Sequence, residues 1–274
     1  MSNDEDPIFA AMRQLYETPI VRDFYHHVAT IAGFNLPPSL KGLFEAHHSH
    51  FFTEPRPKFT VDWGEASPTW RWQKLYSESV FGSSQSAAAA VLYHRDNLLR
   101  MERDLLSFPD LDRLVATAGQ TTFGGGNTQK LDFEYHGFVF AYRRTLDYLA
   151  RGIAALLHQD FGSFRRLPDL LSSHTKHMWV SQLLEVRARY VPTLDTFLGN
   201  RNDRSTRDRI AHYAHVPAGC LNVNVQGVFF AGGGEGLDPS RTLGAVINSY
   251  VQTLRQLISE ILQTIADGCP KPVA

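Results

Sequence analysis

A long amphipathic stretch decides the fold, and its residues 131–159 read LDFEYHGFVFAYRRTLDYLARGIAALLHQ. Large apolar side chains recur along it among polar ones in the manner of an amphipathic α-helix. These side chains are Phe133, Phe138, Phe140, Leu146, Leu149, Ile153, Leu156 and Leu157. A membrane span needs about 18 consecutive apolar residues, and charged residues interrupt this run at Arg143, Arg144, Asp147 and Arg151. The pattern therefore predicts a long helix that packs against other helices.

The same periodicity predicts further helices on both sides of this stretch. Before it, we expect helices at residues 8–32 (with a break at Pro19), 39–44, 85–108 and 110–118. Residues 51–72 contain three prolines and are expected to form an irregular aromatic loop with room for a strand. After the long helix, we expect helices at 167–198, 207–215 and 239–267. The fold class predicted is all-α, a helical bundle.

A glycine-rich segment, GQTTFGGGNTQK at residues 119–130, is the best candidate for a domain boundary. Three consecutive glycines among polar residues cannot hold a helix. The predicted organisation is an N-terminal helical region (1–118), a linker (119–130) and a C-terminal bundle (131–268). Residues 220–231, CLNVNVQGVFFA, alternate between apolar and polar side chains around Gly227. This alternation predicts a small β-hairpin inserted between helices at about 220–231.

Composition limits the possible functions of the 274-residue chain. The formal net charge is -1 without a long basic block, so a polyanion would have to bind at a local patch. The two cysteines, Cys220 and Cys269, cannot form a disulfide framework and lack the spacing of metal ligands. The N-terminus MSNDEDPIFAAM has neither the basic start nor the apolar run of a signal peptide. We expect a cytoplasmic protein that needs no membrane segment, metal or cofactor.

The segment that carries chemistry is Arg207-Asp208-Arg209-Ile210-Ala211-His212-Tyr213. A guanidinium is permanently charged and matches the geometry of a phosphate, and an imidazole transfers protons near neutral pH. Arg207 and His212 are therefore the candidate catalytic residues, with Asp208 placed to orient either of them. The supporting candidates are Tyr213, Arg204 and His215.

This segment resembles the R-x4-H motif of HEPN domains, which also lies between a long helix and the final helix. Ala211 before the histidine, Tyr213 after it and the stretch FAYRRTLDYLARGI (140–153) are similar to HEPN proteins as well. The resemblance covers residues 131–267. It implies a HEPN-like bundle and a metal-independent endoribonuclease that cleaves single-stranded or loop RNA, as a toxin, stress or phage-defence effector. It also implies a homodimer in which two motifs face each other, with a possible antitoxin or defence partner.

Other interpretations of the motif remain open. HEPN-like domains also serve as non-catalytic modules that bind RNA or protein, and the chain could be a structural dimer partner in a larger assembly. Arg207 could pair with Asp203 or Asp208, and His212 could cap its helix. In HEPN toxins that are silenced by tyrosine modification, the tyrosine lies two residues after the histidine, where this chain has Ala214. A second R-x4-H match, from Arg22 to His27, falls within an apolar-periodic helix and is expected to be incidental.

The remaining polar and aromatic clusters favour structural roles. A histidine-rich region lacks nearby cysteines and is expected to be solvated rather than metal-binding: His26, His27, His47, His48 and His50. The glycine runs 124–126 and 232–234 are expected to be connections, because neither precedes the Lys-Ser/Thr of a phosphate loop. Trp63, Trp70 and Trp72 are expected to pack against a helix, and Arg143 and Arg144 to pair near Asp147. The only basic cluster is Arg201, Arg204, Arg207 and Arg209.

Overall fold

The fold is given by a computed structural model of the chain, which describes residues 14–15, 17–57, 67–118, 127–199, 204–212, 215–224, 227–232 and 242–271. These residues are mainly helical, so the predicted all-α class is confirmed. The first part contains α1 (Pro19–Ala32), α2 (Pro38–Phe52), α3 (Trp70–Ser77), a π-helical segment (Glu78–Ser84), α4 (Gln85–Leu106) and α5 (Leu111–Ala118). The second part contains α6 (Gln129–Leu156), α7 (Leu167–Ser172), α8 (Met178–Arg189), α9 (Val191–Leu198), α10 (Thr206–His212) and α11 (Leu243–Gly268).

The chain divides into two compact units, Met1–Leu36 and Pro37–Ala274. The first contains α1, which begins at Pro19, where the sequence predicts a break. The glycine-rich segment predicted as a boundary does not coincide with this division, and its residues 119–126 lie outside the described residues. Helix α4, which precedes the segment along the chain, packs against helix α6, which follows it. All elements from α2 onward therefore belong to the second unit.

The second unit is built around α6. Large side chains of this helix are fully buried, among them Tyr135, Phe138, Tyr142 and Leu149. Helix α6 packs against α3, α4 and the π-helical segment, and its Phe138 and Tyr142 rings contact Phe197 of α9. Burial of an apolar side chain such as Phe138 or Leu149 stabilises the fold by about 1.5–3 kcal/mol. The amphipathic pattern seen in the sequence is therefore the main source of cohesion in this unit.

Residues 167–198 form three helices rather than the one stretch predicted. The polar residues between α7 and α8 explain the first break. The Ser173 hydroxyl and the His174 ring both hydrogen-bond to the backbone carbonyl of Leu170. Side chains that bond backbone groups in this way compete with helix continuation. A second break precedes α9, where Pro192 occupies the first turn, a position that suits proline because no helical N–H is needed there.

The strands β1 (Gly219–Asn224) and β2 (Gly227–Gly232) pair in antiparallel register between α10 and α11. Gly219 lies opposite Gly232, and Asn224 lies opposite Gly227. This pair coincides with the stretch in which the sequence predicts a hairpin. The sequence pattern did not predict α3 or the π-helical segment. Helix α3 begins inside the stretch that was expected to be a loop, and the π-helical segment follows α3 directly.

A buried carboxylate from α4 holds the first turn of α11. The backbone N–H of Gly244 donates to Oε1 of Glu102 at 3.2 Å, while the Thr242 hydroxyl caps the same helix by accepting from Ala245 at 3.1 Å. Burial raises the pKa of the Glu102 carboxyl above its ordinary value, although hydrogen bonds from Gly244 and Leu243 act in the opposite direction. The contact joins the end of α4 to the start of α11.

We predict that Gly152→Ala destabilises the protein by about 1–3 kcal/mol, as expected for overpacking of a filled core. A Cβ at position 152 would lie 2.4 Å from Cγ2 of Val80, whose side chain is buried and β-branched. The matched control is Gly42→Ala in α2, where a new Cβ meets no atom within 4 Å, and which should gain stability because alanine is the better helix former. Urea unfolding measures both changes. Equal effects of the two substitutions would contradict this packing.

We predict that the difference in free energy of unfolding between the native protein and Glu102→Gln depends on pH. Because the folded-state pKa is raised, the folded protein binds a proton at pH values where the unfolded chain does not. The contribution of this group to stability therefore grows as pH falls from neutrality toward 4.5, the ordinary value. Urea unfolding of both proteins across this range isolates the effect, since all other titrating groups are shared. Parallel stability curves would show that Glu102 titrates normally.

Candidate functional site

The short helix α10 carries the R-x4-H motif and is fixed at its first turn. Ser205 is fully buried, and its Oγ accepts the backbone N–H of Asp208 at 3.0 Å. This is the usual arrangement of a serine N-cap. The Thr206 hydroxyl donates to the carbonyl of Thr196 in α9 at 2.7 Å. A helix of one or two turns is not stable alone, so these bonds and the contacts with α6 and α9 position the motif.

Arg207 lies between Asp208 and helix α6. Its Nη1 donates to Oδ1 of Asp208 at 2.9 Å, and its guanidinium carbon lies 5.9 Å from the ring centroid of Phe140. The side chains of Arg207 and Asp208 are 40% and 32% exposed. Of the two carboxylates considered from the sequence, Asp208 is therefore a partner of Arg207, and the guanidinium remains accessible to solvent.

The Asp208 carboxyl lies in a positively charged environment. Partial burial raises its pKa, but hydrogen bonds from Arg207 and Ser205 and the charges of Arg207 and Arg143 outweigh burial, so the pKa falls below its ordinary value. Arg143 belongs to α6, where its Nε donates to Asp147 Oδ2 at 2.7 Å. The two arginines thus reach Asp208 from different helices.

The motif histidine, His212, is an exposed residue at the C-terminal end of α10. Arg204, a supporting candidate, is also exposed. Tyr213 and the neighbouring Ala214 lie outside the described residues, as do Arg201 and Asp203. The structure therefore gives no geometry for the supporting role expected of the tyrosine.

The third predicted supporting residue, His215, forms a pair that the sequence did not reveal. Its Nε2 lies 3.1 Å from Oδ2 of Asp132 in the first turn of α6. Oδ1 of the same carboxylate accepts the backbone N–H of Ala218 at 2.8 Å. The His136 ring lies beside His215, with ring centroids 5.7 Å apart, and its Nε2 bonds to the carbonyl of Val216 at 2.8 Å.

One stripe along α6 collects all of these contacts. Residues three or four positions apart share a helix face. Five residues of α6 have this spacing, and we call them the α6 stripe: Asp132, His136, Phe140, Arg143 and Asp147. Residues 215–218 contact its first half, and α10 contacts its middle. Spacing along the helix could have identified Asp132 as part of this face. Its partner His215 could not be identified, because 83 positions separate the two residues.

Glu134 and Arg144, the other α6 residues considered from the sequence, do not belong to the α6 stripe. Glu134 contacts α4 through Oε2, which accepts a hydrogen bond from the side-chain amide of Asn97 at 3.3 Å and lies 2.7 Å from Nδ1 of His94. As expected from their spacing, Glu134 and His136 serve different faces of the helix. The Arg144 guanidinium lies near the Tyr148 hydroxyl at 3.4 Å, whereas the predicted pair with Asp147 is made by Arg143.

His26 and His27 are exposed on α1, as expected, but the expectation of a solvated histidine is wrong for His47. His47 is buried, bonds to the Tyr76 hydroxyl and has a pKa lowered to about 3, first by burial and then by the charge of His50. His50 itself bonds to the carbonyl of Cys269 at 2.9 Å. Trp72 stacks on His158 with centroids 5.6 Å apart. Among the described residues, no group of three or more His, Cys, Asp or Glu side chains is placed to hold a metal ion.

Two further sequence candidates contribute no site. The second R-x4-H match lies on α1, where none of the described residues is buried. The glycine run 124–126 lies outside the described residues, and of the run 232–234 only Gly232, the end of β2, is described. Within the described part of the chain, no helix has both the length and the apolar character that a membrane crossing requires.

Comparison of the chain with models of protein families, with curated proteins and with solved structures found no match. The resemblance to HEPN domains therefore rests on the residues of the motif and on its position between helices.

We predict that Ser205→Ala loosens α10 and costs about 1 kcal/mol of stability, the usual effect of losing an N-cap. The substitution removes the acceptor of the Asp208 N–H inside a fully buried site. Hydrogen exchange should accelerate at the amides of α10. Ser172→Ala is the control, since this exposed serine bonds only to the carbonyl of Pro168 among the contacts described. Unchanged exchange in α10 would show that the cap does not hold the motif helix.

Proposed function

We propose that this protein is a HEPN-like endoribonuclease that cleaves single-stranded or loop RNA without a metal ion. The observation that carries the proposal is the exposure of both motif residues on one fixed helix. Arg207 is partly accessible and His212 is exposed, so neither is confined to the interior of the bundle. A site for a polymeric substrate requires this accessibility.

The reaction needs a phosphate ligand and groups that transfer protons. The 2'-oxygen of a ribose bonds to the adjacent phosphorus while the bond from phosphorus to the 5'-oxygen breaks. One proton leaves the 2'-hydroxyl and another reaches the 5'-oxygen, which gives a 2',3'-cyclic phosphate and a 5'-hydroxyl. An imidazole such as His212 can serve in either transfer. Negative charge that gathers on the phosphate oxygens is stabilised by Arg207.

The pairing of Arg207 with Asp208 is compatible with this role. A guanidinium has five N–H donors, and the bond to Asp208 is made by Nη1. The group can therefore hold the carboxylate and a phosphate together. The charge of a second guanidinium, that of Arg143, also acts on Asp208, although Arg143 itself bonds to Asp147.

We further propose that two copies of the chain form the working site. Residues five positions apart on a helix point about 140° away from each other, so Arg207 and His212 do not close around one phosphate. A homodimer with facing α10 helices would bring one group from each copy to the substrate. A role as a toxin, stress or phage-defence effector, with an antitoxin or defence partner, is part of the same proposal.

A non-catalytic RNA- or protein-binding module is the second candidate function. The observation that favours it is the ion pair between Arg207 and Asp208, because a partner carboxylate reduces the positive charge available to a transition state. This candidate predicts that binding survives replacement of His212 and weakens on replacement of Arg207. No RNA would be cleaved by any of these proteins.

The test incubates purified protein with structured and single-stranded RNA in EDTA. We expect cleavage to 2',3'-cyclic phosphate ends, and a rate that falls by about 10²–10⁴-fold in His212→Ala, which is the usual contribution of a general acid or base. His177→Ala, another exposed histidine, is the matched control and should retain activity. Light scattering measures whether the protein is a dimer. Equal cleavage by the native protein and His212→Ala would refute the enzymatic proposal.

A further inference from the structure

A buried carboxylate holds an exposed imidazole at the edge of the motif. The Asp132 side chain is 5% exposed and the His215 side chain is 61% exposed. The carboxylate is itself fixed, because Oδ1 accepts the backbone N–H of Ala218 at 2.8 Å. Only Oδ2 then faces the ring, at 3.1 Å from Nε2. A surface ion pair between two mobile side chains would lack this fixed partner.

The pair determines which nitrogen of His215 carries the proton. An ionised carboxylate accepts hydrogen bonds and cannot donate them. Nε2 must therefore carry the hydrogen in the contact with Asp132, which leaves Nδ1 as the bare nitrogen of the neutral ring. A bare nitrogen on an exposed imidazole is a proton acceptor, and the fixed carboxylate holds the ring in this orientation.

The α6 stripe places His215 on the same face as Arg207. The His215 ring lies beside His136 at 5.7 Å, and the Arg207 guanidinium lies over Phe140 at 5.9 Å. His136 and Phe140 are one helical turn apart, which is about 6 Å along the axis. One face of helix α6 in a single protomer is therefore contacted both by a guanidinium and by an oriented imidazole.

We infer that His215 is the general base of the proposed ribonuclease and that Asp132 is its positioning residue. The inference rests on the proposed function and refines it by assigning separate roles to two histidines. Nδ1 of His215 takes the proton of the 2'-hydroxyl as the 2'-oxygen bonds to phosphorus. His212, in its protonated form, gives a proton to the 5'-oxygen as its bond to phosphorus breaks. Arg207 holds the non-bridging oxygens.

The decisive variant is Asp132→Asn, because it keeps the shape of the side chain and inverts one hydrogen bond. The amide oxygen can still accept from Ala218. The amide nitrogen would face Nε2 of His215 as a donor, which forces the ring proton onto Nδ1 and removes the bare nitrogen. We expect imidazole nitrogen shifts in NMR spectra to report Nε2–H in the native protein and Nδ1–H in the variant.

The same variant is tested in single-turnover cleavage of RNA in EDTA. We expect the rate of Asp132→Asn and of His215→Ala to fall by about 10²–10⁴-fold, with RNA affinity changed less than threefold. His215 is exposed, so its substitution tests the role even if Asp132→Asn folds poorly. Glu134→Gln is the matched control, since it alters the equivalent pair with His94 on the α4 side of the same helix, and its rate should be unchanged.

The outcomes separate this inference from the proposed function. A native Nδ1–H tautomer, or one unaltered by Asp132→Asn, overturns the positioning role without any activity measurement. Cleavage that depends on His212 but not on His215 overturns the general-base role and leaves the ribonuclease proposal intact. Absence of cleavage by the native protein removes the ribonuclease proposal and the catalytic role of His215, while the tautomer still decides whether Asp132 orients the ring.

Discussion

The structure depends on the burial of α6 against its neighbours. Helices α3 and α4 and the π-helical segment cover the apolar sides of this helix, and Gly152 allows the π-helical segment to come close. The α6 stripe contacts the segment between α9 and β1. Asp132 and Asp147 in this stripe each accept a backbone N–H from a connecting segment, at Ala218 and Phe164. The helix that forms the core therefore also fixes the two connections that border the candidate site.

Charge is distributed along this stripe in an ordered way. Its N-terminal half presents the buried carboxylate of Asp132 and the imidazole of His136, with His215 beside it. Its C-terminal half presents Arg143 with its carboxylate partner Asp147. Helix α10 adds Arg207 and Asp208 over the middle. Hydrogen bonds from Arg207 and Ser205, followed by the charges of Arg207 and Arg143, hold the pKa of Asp208 below its ordinary value. The carboxylate therefore stays ionised near neutral pH and keeps its bond to Arg207. Because Arg143 and Arg207 are each bonded to a carboxylate, the described groups of this face carry little net positive charge.

The parts of the fold that sequence predicts well are those governed by local periodicity. The ends of α6 and α11 fall within four residues of the predicted ends, because a regular apolar face needs only neighbouring residues to be seen. The break-up of 167–198 escapes this pattern, since it depends on hydroxyl and imidazole groups that bond to one carbonyl, that of Leu170. The candidate site likewise has a part that local sequence predicts and a part that it does not. Arg207, Asp208 and His212 are visible as one short motif, whereas the contact of Asp132 with His215 joins residues 83 positions apart and requires the fold.

The position of His215 changes the reason for expecting a dimer. From sequence, a second copy is needed because Arg207 and His212 diverge by about 140° on one helix. With Asp132 holding His215 on the face that also carries Arg207, one protomer already presents a phosphate ligand and a proton acceptor. The group still missing from that face is a proton donor for the leaving oxygen, and His212 is exposed at the end of α10. On this arrangement each protomer would supply its own base and guanidinium and receive the acid from its partner, so the dimer would complete the second proton transfer rather than the whole site.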